Sequence, residues 1–304
     1  MKQLKKSILD HYTREDVLIN IARQSYNREF ALLCPAWAKK NKLSIRMLKI
    51  QNVDGLRFIL NAIKFYTGYK PYNFYKSLAQ YPYGIPNQSI NLEERKALNL
   101  NKRWYQIHQE KMKSYDLVLD LDSPNHNELY NTHEAMKCIH KFYNKFDVPH
   151  YVMFSGKGFH LYTPYECTFP LRNRISPSKS KTMIAHKPDN LYINYSKIAR
   201  YFRQFFRCVD KFIYDSRRLI KLAYTVSLYS EDKGYVSCWL NRESEIEKFH
   251  LPNYEVDNFV LGRNLQPKLF NRRGDLGKLM KEVINNGEKK EVLTPNKRRI
   301  RKRR

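Results

Sequence analysis

Residues 115–123 read YDLVLDLDS, a leucine and valine run that carries three aspartates. Alternation along a strand sends Asp116, Val118, Asp120 and Asp122 to one face and Leu117, Leu119 and Leu121 to the other, toward a core. Asp120 and Asp122 then share one face of one strand. Two negative charges so close oppose folding unless something positive lies between them. A metal ion is one remedy, and a lysine or arginine partner is the other.

The surrounding sequence supplies the elements that would hold such a strand. A turn, SPNHN, follows it, and then a helical pattern near 127–146. PHYVMFSGKGFHLYTPY reads as two strands around a tight turn at Gly156 and Gly158. Upstream, residues 12–40 read as helical with Thr13 as N-cap, and NVDGLRFILNAIKFY as a second helix. Residues 68–86, rich in Tyr, Pro and Gly, divide into strand and loop. Residues 172–190 are polar and basic and read as an exposed loop or insertion. A helix in YSKIARYFRQFFRCV then precedes strands in RLIKL and SLYSEDKGYVSCWL. Helices mixed with strands, a hairpin among them, predict an α+β protein with mixed or antiparallel sheets rather than a doubly wound parallel sheet. Residues 1–284 form the expected folded body. Residues 285–304 form a polar, basic tail expected to be disordered.

Charge narrows the class of partner. The chain has 304 residues, with 56 Lys and Arg against 29 Asp and Glu, for a net charge of +27. Seven of the positive charges are Lys297, Arg298, Arg299, Arg301, Lys302, Arg303 and Arg304; without them the remainder still carries +20. A polyanion is the matching partner. No apolar run approaches the ~20 residues that span a bilayer, which favours nucleic acid over a membrane. The N-terminal MKQLKKSILDHY lacks the apolar segment of a signal peptide. The five cysteines form no CxxC pair and no zinc-type cluster. Both features predict a cytoplasmic, nucleoid-associated protein with reduced thiols, or a nuclear one in a eukaryote. The 23 tyrosines suit stacking on bases or sugars.

Two further clusters carry chemistry. In FSGKGFH, residues 154–160, Gly156 and Gly158 allow close backbone approach, and successive N–H groups can cradle phosphate oxygens. Ser155, Lys157 and His160 add donors; a plain hairpin turn is the simpler reading. In VDKFIYDSRRLIKLAYTVS, Asp210 and Asp215 accompany Arg217, Arg218 and Lys221. Strand alternation separates Arg218 from Lys221, so only one of them is expected to reach a ligand. A solvated ion-pair patch is the simpler reading of this cluster.

Taken in order, Asp120-Leu-Asp122, Ser155-Gly-Lys-Gly-Phe-His160 and Asp210 ahead of Arg218-Leu-Ile-Lys221 resemble the archaeo-eukaryotic primase superfamily, most nearly the small catalytic subunit of archaeal primases. REFALL, IRMLKIQN and YKSLAQYPYGIP resemble its N-terminal segments, so the likeness covers roughly residues 12–240. The resemblance implies a primase-polymerase core that joins nucleoside triphosphates on a single-stranded DNA template. It assigns two Mg²⁺ or Mn²⁺ ions to Asp120, Asp122 and Asp210. The incoming nucleotide falls to Ser155, Gly156, Lys157, His160, Arg218 and Lys221, and the tail to DNA. It also implies a primase large subunit or a replication helicase as partner. The chain departs from the pattern at Ser227, where the family has His, at Ala223-Tyr224 in place of Pro-Gly, at Pro124, and in lacking zinc ligands. A superfamily relative that extends existing ends, and a non-catalytic nucleic-acid-binding module, are the competing readings.

Overall fold

The computed structural model describes residues 2–33, 44–67, 73–83, 112–124, 128–168, 188–211, 218–228, 233–260 and 266–286. It opens with helices α1 (Lys2–Thr13) and α2 (Glu15–Ser25), then strand β1 (Glu29–Leu33). The single helix expected over 12–40 is therefore wrong at both ends. Thr13 closes α1, its hydroxyl donating back to the Asp10 carbonyl at 2.9 Å, and so it does not cap α2. Arg14 stands at that cap without a capping bond, its guanidinium donating to the Asp16 carboxylate at 2.9 Å, and Asp16 Oδ1 accepts from the Val17 N–H. Beyond α2 the chain reverses through Asn27, whose φ of 57° is left-handed. Phe30, Ala31 and Leu32 then enter a sheet.

That sheet is built from β2 (Ser44–Lys49), β1, β3 (Asn73–Ser77) and β9 (Leu219–Lys221) in this order, each pair antiparallel. Between β2 and β3 lies α3 (Val53–Thr67), which packs on α2. Tyr12 of α1 docks this helical layer on the sheet, its ring 4.7 Å from Phe74 and its hydroxyl accepting from the Val226 N–H at 2.8 Å.

The second sheet runs β12 (Cys238–Trp239), β7 (Tyr151–Phe154), β8 (Gly158–Thr163) and β6 (Leu117–Asp122), again antiparallel. The helix expected near 127–146 is α4 (Leu129–Lys145). It lays Leu129, His133, Met136, Ile139, His140 and Tyr143, at helical spacing, into the core over this sheet. A short ladder of β4 (Ala79–Gln80) with β5 (Ser114–Tyr115) joins the two sheets, reinforced by the Asp116 N–H donating to the Leu78 carbonyl at 3.2 Å. Helix α5 (Pro188–Phe205), the hairpin β10 (Val226–Leu228) with β11 (Gly234–Val236), and helices α6 (Glu243–Glu247) and α7 (Gly277–Asn286) complete the chain. The fold class is α+β, with antiparallel sheets flanked by helices. Helix α7 includes residues 285 and 286, which the sequence reading gives to the tail. Of the loop or insertion expected over 172–190, residues 188–190 instead open helix α5, and the rest lies outside the described residues, as do Asp215, Arg217 and the basic run from Lys297 to Arg304. Among the described residues no helix is long and apolar enough to cross a membrane.

Candidate active site

Strand β6 treats its carboxylates differently. Asp116, just before the strand, is buried and answers the charge problem with an arginine: Arg28 pairs with it, the Tyr162 hydroxyl donates to it, and the Tyr165 N–H donates at 2.9 Å. Among the described residues Asp120 and Asp122 have no such arginine clamp. Antiparallel pairing sets Asp120 opposite His160 and Asp122 opposite Gly158. His160 Nε2 lies 3.1 Å from Asp120 Oδ1 but off the hydrogen-bonding line, so Oδ1 is buried without a donor, as is His160 Nδ1 without a partner.

Asp210 joins them through the backbone. Its N–H donates to the Asp120 carbonyl at 2.8 Å, the Asp122 N–H donates to the Cys208 carbonyl at 2.9 Å, and Leu121 bridges Val209. The segment 208–210 thus lies along the free edge of β6. Carboxylates nearly ninety residues apart in sequence become neighbours. The Asp210 carboxylate is held by Arg218 at 2.9 Å.

The titration of these acids records their crowding. Burial alone would raise Asp120, but His160, Arg218 and Lys221 outweigh it and hold its carboxyl below the usual value. Asp122 is raised, first by desolvation and then by the Asp120 charge, with Asp210 adding to it. His160 and Lys221 offset only part of that rise.

The cationic side shows the mirror image. Lys221 is pushed down to about 8, first by burial and next by the like charge of Lys157. Arg218 and Lys221 both bear on Asp120. Arg218 precedes strand β9, so the alternation that would set it on the opposite face from Lys221 does not bind it. The hairpin turn carries the remaining predicted residues. The Ser155 N–H closes it by donating to the Gly158 carbonyl at 2.9 Å, and Lys157 is exposed at its tip. Gly156 has φ 88°, and a Cβ there would fall 2.4 Å from Ser227 Oγ; one at Gly158 would fall 1.9 Å from the Leu121 carbonyl. These glycines let the turn lie flat on its neighbours. His160, expected on a phosphate, faces Asp120 instead.

Two residues escape the sequence reading as members of this site. Ser227 receives a hydrogen bond from Lys221 and donates its own to the Ser155 carbonyl at 3.0 Å, tying β9, β10 and the glycine turn together. Tyr75, opposite Lys221 in the β3–β9 ladder, has its ring centroid 5.9 Å from the Lys221 amine. Burial raises its phenol to about 12, with help from Asp120 and Asp122. A polar residue amid LAYTVSL is the signal for Ser227. Nothing local marks Tyr75 among so many tyrosines.

Among the described residues no group of three or more His, Cys, Asp or Glu side chains is placed to hold a metal ion, so Asp120, Asp122 and Asp210 do not form a ready three-carboxylate site. The donors that do fit a divalent cation are Asp120, with its orphaned Oδ1, and the exposed Asp122 two residues on. A cation there would relieve the acids, and an anion between Lys157 and Lys221 would relieve the amines. Charges of both signs stand side by side and partly offset one another, Lys221 against Asp120 and Asp122.

The fold and this site describe a protein of mixed α+β class with an acid-and-amine cleft between two sheets. No protein-family model matches the chain, and no curated protein matches it by sequence. Solved structures similar in overall shape are polymerase and primase domains. The polymerase domain of Mycobacterium tuberculosis ligase D in complex with DNA is 11% identical, with 93% of this chain and 89% of that one covered, at a TM-score of 0.49. The primase RepB′ is 9% identical, with 90% and 63% covered, at 0.36. The RepB′ catalytic domain in complex with initiator DNA is 9% identical, with 91% and 100% covered, at 0.37.

Proposed function

We propose that the protein is a nucleotidyltransferase that synthesises short primers on single-stranded DNA, in the manner of a primase small catalytic subunit. The observation that carries this reading is the gathering of two kinds of group in one place: the carboxylates of Asp120, Asp122 and Asp210, whose backbone segments pair along the edge of β6, and the cations of Arg218 and Lys221 beside them. A nucleoside triphosphate with divalent cations answers both at once.

Asp120 and Asp122 would hold Mg²⁺ or Mn²⁺, with Asp210 as the third carboxylate once Arg218 turns to the substrate. The ions supply charge neutralisation at the transferred phosphate and lower the pKa of the attacking hydroxyl. Lys157, Lys221 and Arg218 bind the triphosphate oxygens, and Ser155 and Gly156 shape the turn against them. Ser227 orients the Lys221 amine. His160 holds Asp120 ionised and in place. In the reaction the 3′-oxygen of one nucleotide forms a bond to the α-phosphorus of the next, its proton is lost, and pyrophosphate departs. The basic body and the run from Lys297 to Arg304 bind template phosphates, and tyrosines stack on bases. A primase large subunit or helicase would complete the assembly.

The test is incubation with single-stranded DNA, labelled nucleotides and Mn²⁺, with products sized on a gel, with and without an annealed primer. Products on unprimed template support a primase. Products only from the primed template move the assignment to an end-extending relative. The Arg218–Asp210 pair favours one other reading, a nucleic-acid-binding module whose acids are only structural. Binding that persists in EDTA, with no product in Mn²⁺ or Mg²⁺, selects that module.

A further inference from the structure

At the other end of β6 lies a second polar pocket. Asp116 and Asp120 are four residues apart along an extended chain, about 13 Å. The pocket holds about 290 Å³, and its walls include Arg23, Arg28, Lys76, Asp116, Tyr162 and Glu166. Its fixed part is an ion-pair frame. Arg28 spends its guanidinium on the Ser77 and Leu78 carbonyls, at 3.0 and 2.7 Å, and on Asp116, which also takes the Tyr162 hydroxyl.

Lys76, in the middle of β3, is left out of that frame. It is 7% exposed, its amine sits 4.7 Å from the Tyr162 ring centroid, and among the described residues it has no hydrogen-bond or ion-pair partner. Natural proteins rarely bury a lysine without a counter-charge. Burial and the neighbouring Arg28 push this amine down to about 7, against a smaller upward pull from Asp116. Desolvation beside another cation is the arrangement that makes a lysine nucleophilic at neutral pH. Arg23, exposed at the rim and without an ion-pair partner among the described residues, offers a positive charge to whatever enters.

We infer that this pocket is a second site, in which the Lys76 amine captures a small aldehyde bearing an acidic group as an imine. The amine nitrogen adds to the carbonyl carbon and the carbonyl oxygen takes up a proton, giving a carbinolamine. Loss of that oxygen as water leaves the protonated imine on Lys76, with no oxidant or reductant consumed. Arg23 pairs with the acidic group. The charges facing Lys76 are those of Arg28 and Asp116 in the frame, Glu166 in the 3₁₀ turn Tyr165–Thr168, and Arg23 of α2, with the Tyr162 ring beneath it. None belongs to the Asp120 cleft, so this site stands apart from the proposed polymerising function.

Glyoxylate with cyanoborohydride at pH 7 traps such an imine as carboxymethyl-lysine, which peptide mass mapping locates. Lys76 is expected to react at least tenfold faster than the exposed Lys113 in the same protein, and its rate to fall as pH drops below 7. Uncharged propionaldehyde is expected to label Lys76 severalfold more slowly than glyoxylate, and Arg23→Ala to erase that preference. The pair Asp120→Asn and Asp122→Asn leaves the labelling unchanged. Lys76 labelled no faster than Lys113 in the folded wild type overturns the site. Equal rates for the two aldehydes overturn the acidic-group assignment.

Discussion

Three aspartates in one short stretch meet three environments, and each environment dictates a consequence. Asp116 is neutralised by Arg28, Asp120 is held ionised by His160, and Asp122 is raised by its neighbours. Asp122→Asn removes a repelling charge, so stability in metal-free buffer is expected to hold or rise. The same change should lower Mn²⁺-dependent synthesis by about 10²-fold or more and abolish any Mn²⁺-induced rise in Tm. Thermal melts with and without Mn²⁺ check this, and a variant that keeps the metal-induced rise refutes a role for Asp122. Gly156 tests the other half of the cleft. Gly156→Ala meets a left-handed φ and the Ser227 side chain together, and should cost about 1–2 kcal/mol for the backbone alone. Combining it with Ser227→Gly removes the clash but not the φ strain, so the double variant should recover part of the loss in urea titrations. Sequence marks the two aspartates and the glycine by type and spacing. It marks Ser227 only as a departure, because its role depends on a hairpin turn more than seventy residues away.

Elements that are apolar on every side defeat periodicity. The helix-like pattern over 12–40 runs on through β1, where Phe30, Ala31 and Leu32 are all buried between β2 and β3. A short strand covered on both faces has the same apolar density as a buried helix turn. The aspartate strand and the glycine hairpin escaped that ambiguity, since charges and glycines punctuate them. Strand β3 carries a testable peculiarity of its own, the buried Lys76. Its folded pKa of about 7 lies below the unfolded value of 10.5, so between these limits the unfolded chain binds more protons. Stability should therefore rise with pH from about 7 to 10.5, by up to roughly 1.4 kcal/mol per unit from this group. Lys76→Met should flatten that slope in denaturant titrations across the window. A slope unchanged in the variant would mean that the lysine is charged and solvated in the native state.

Across the whole molecule, the cleft exists because β3 and β9 of one sheet meet β6 and β8 of the other. Motif order hinted at that meeting, but strand order depends on pairings between residues far apart and leaves no local trace. Net charge, by contrast, is read straight from composition and makes its own demand. A body of +20 favours a polyanionic partner, and on the proposed reading the seven charges from Lys297 to Arg304 add a separable contribution to DNA binding. Each tail charge that meets a phosphate of single-stranded DNA should steepen the dependence of log affinity on log salt by about 0.7, so all seven together add about 5. Between 50 and 200 mM salt the intact chain should then lose roughly 10³-fold more affinity than a chain truncated after Asn296. The acidic cleft lies far from the tail in sequence and keeps all its residues, so Mn²⁺-dependent synthesis at saturating template should survive truncation. Binding isotherms at four or more salt concentrations measure both slopes, and identical slopes would show that the tail does not touch DNA. A shallower slope with intact synthesis would divide the labour between a body that reacts and a terminus that anchors.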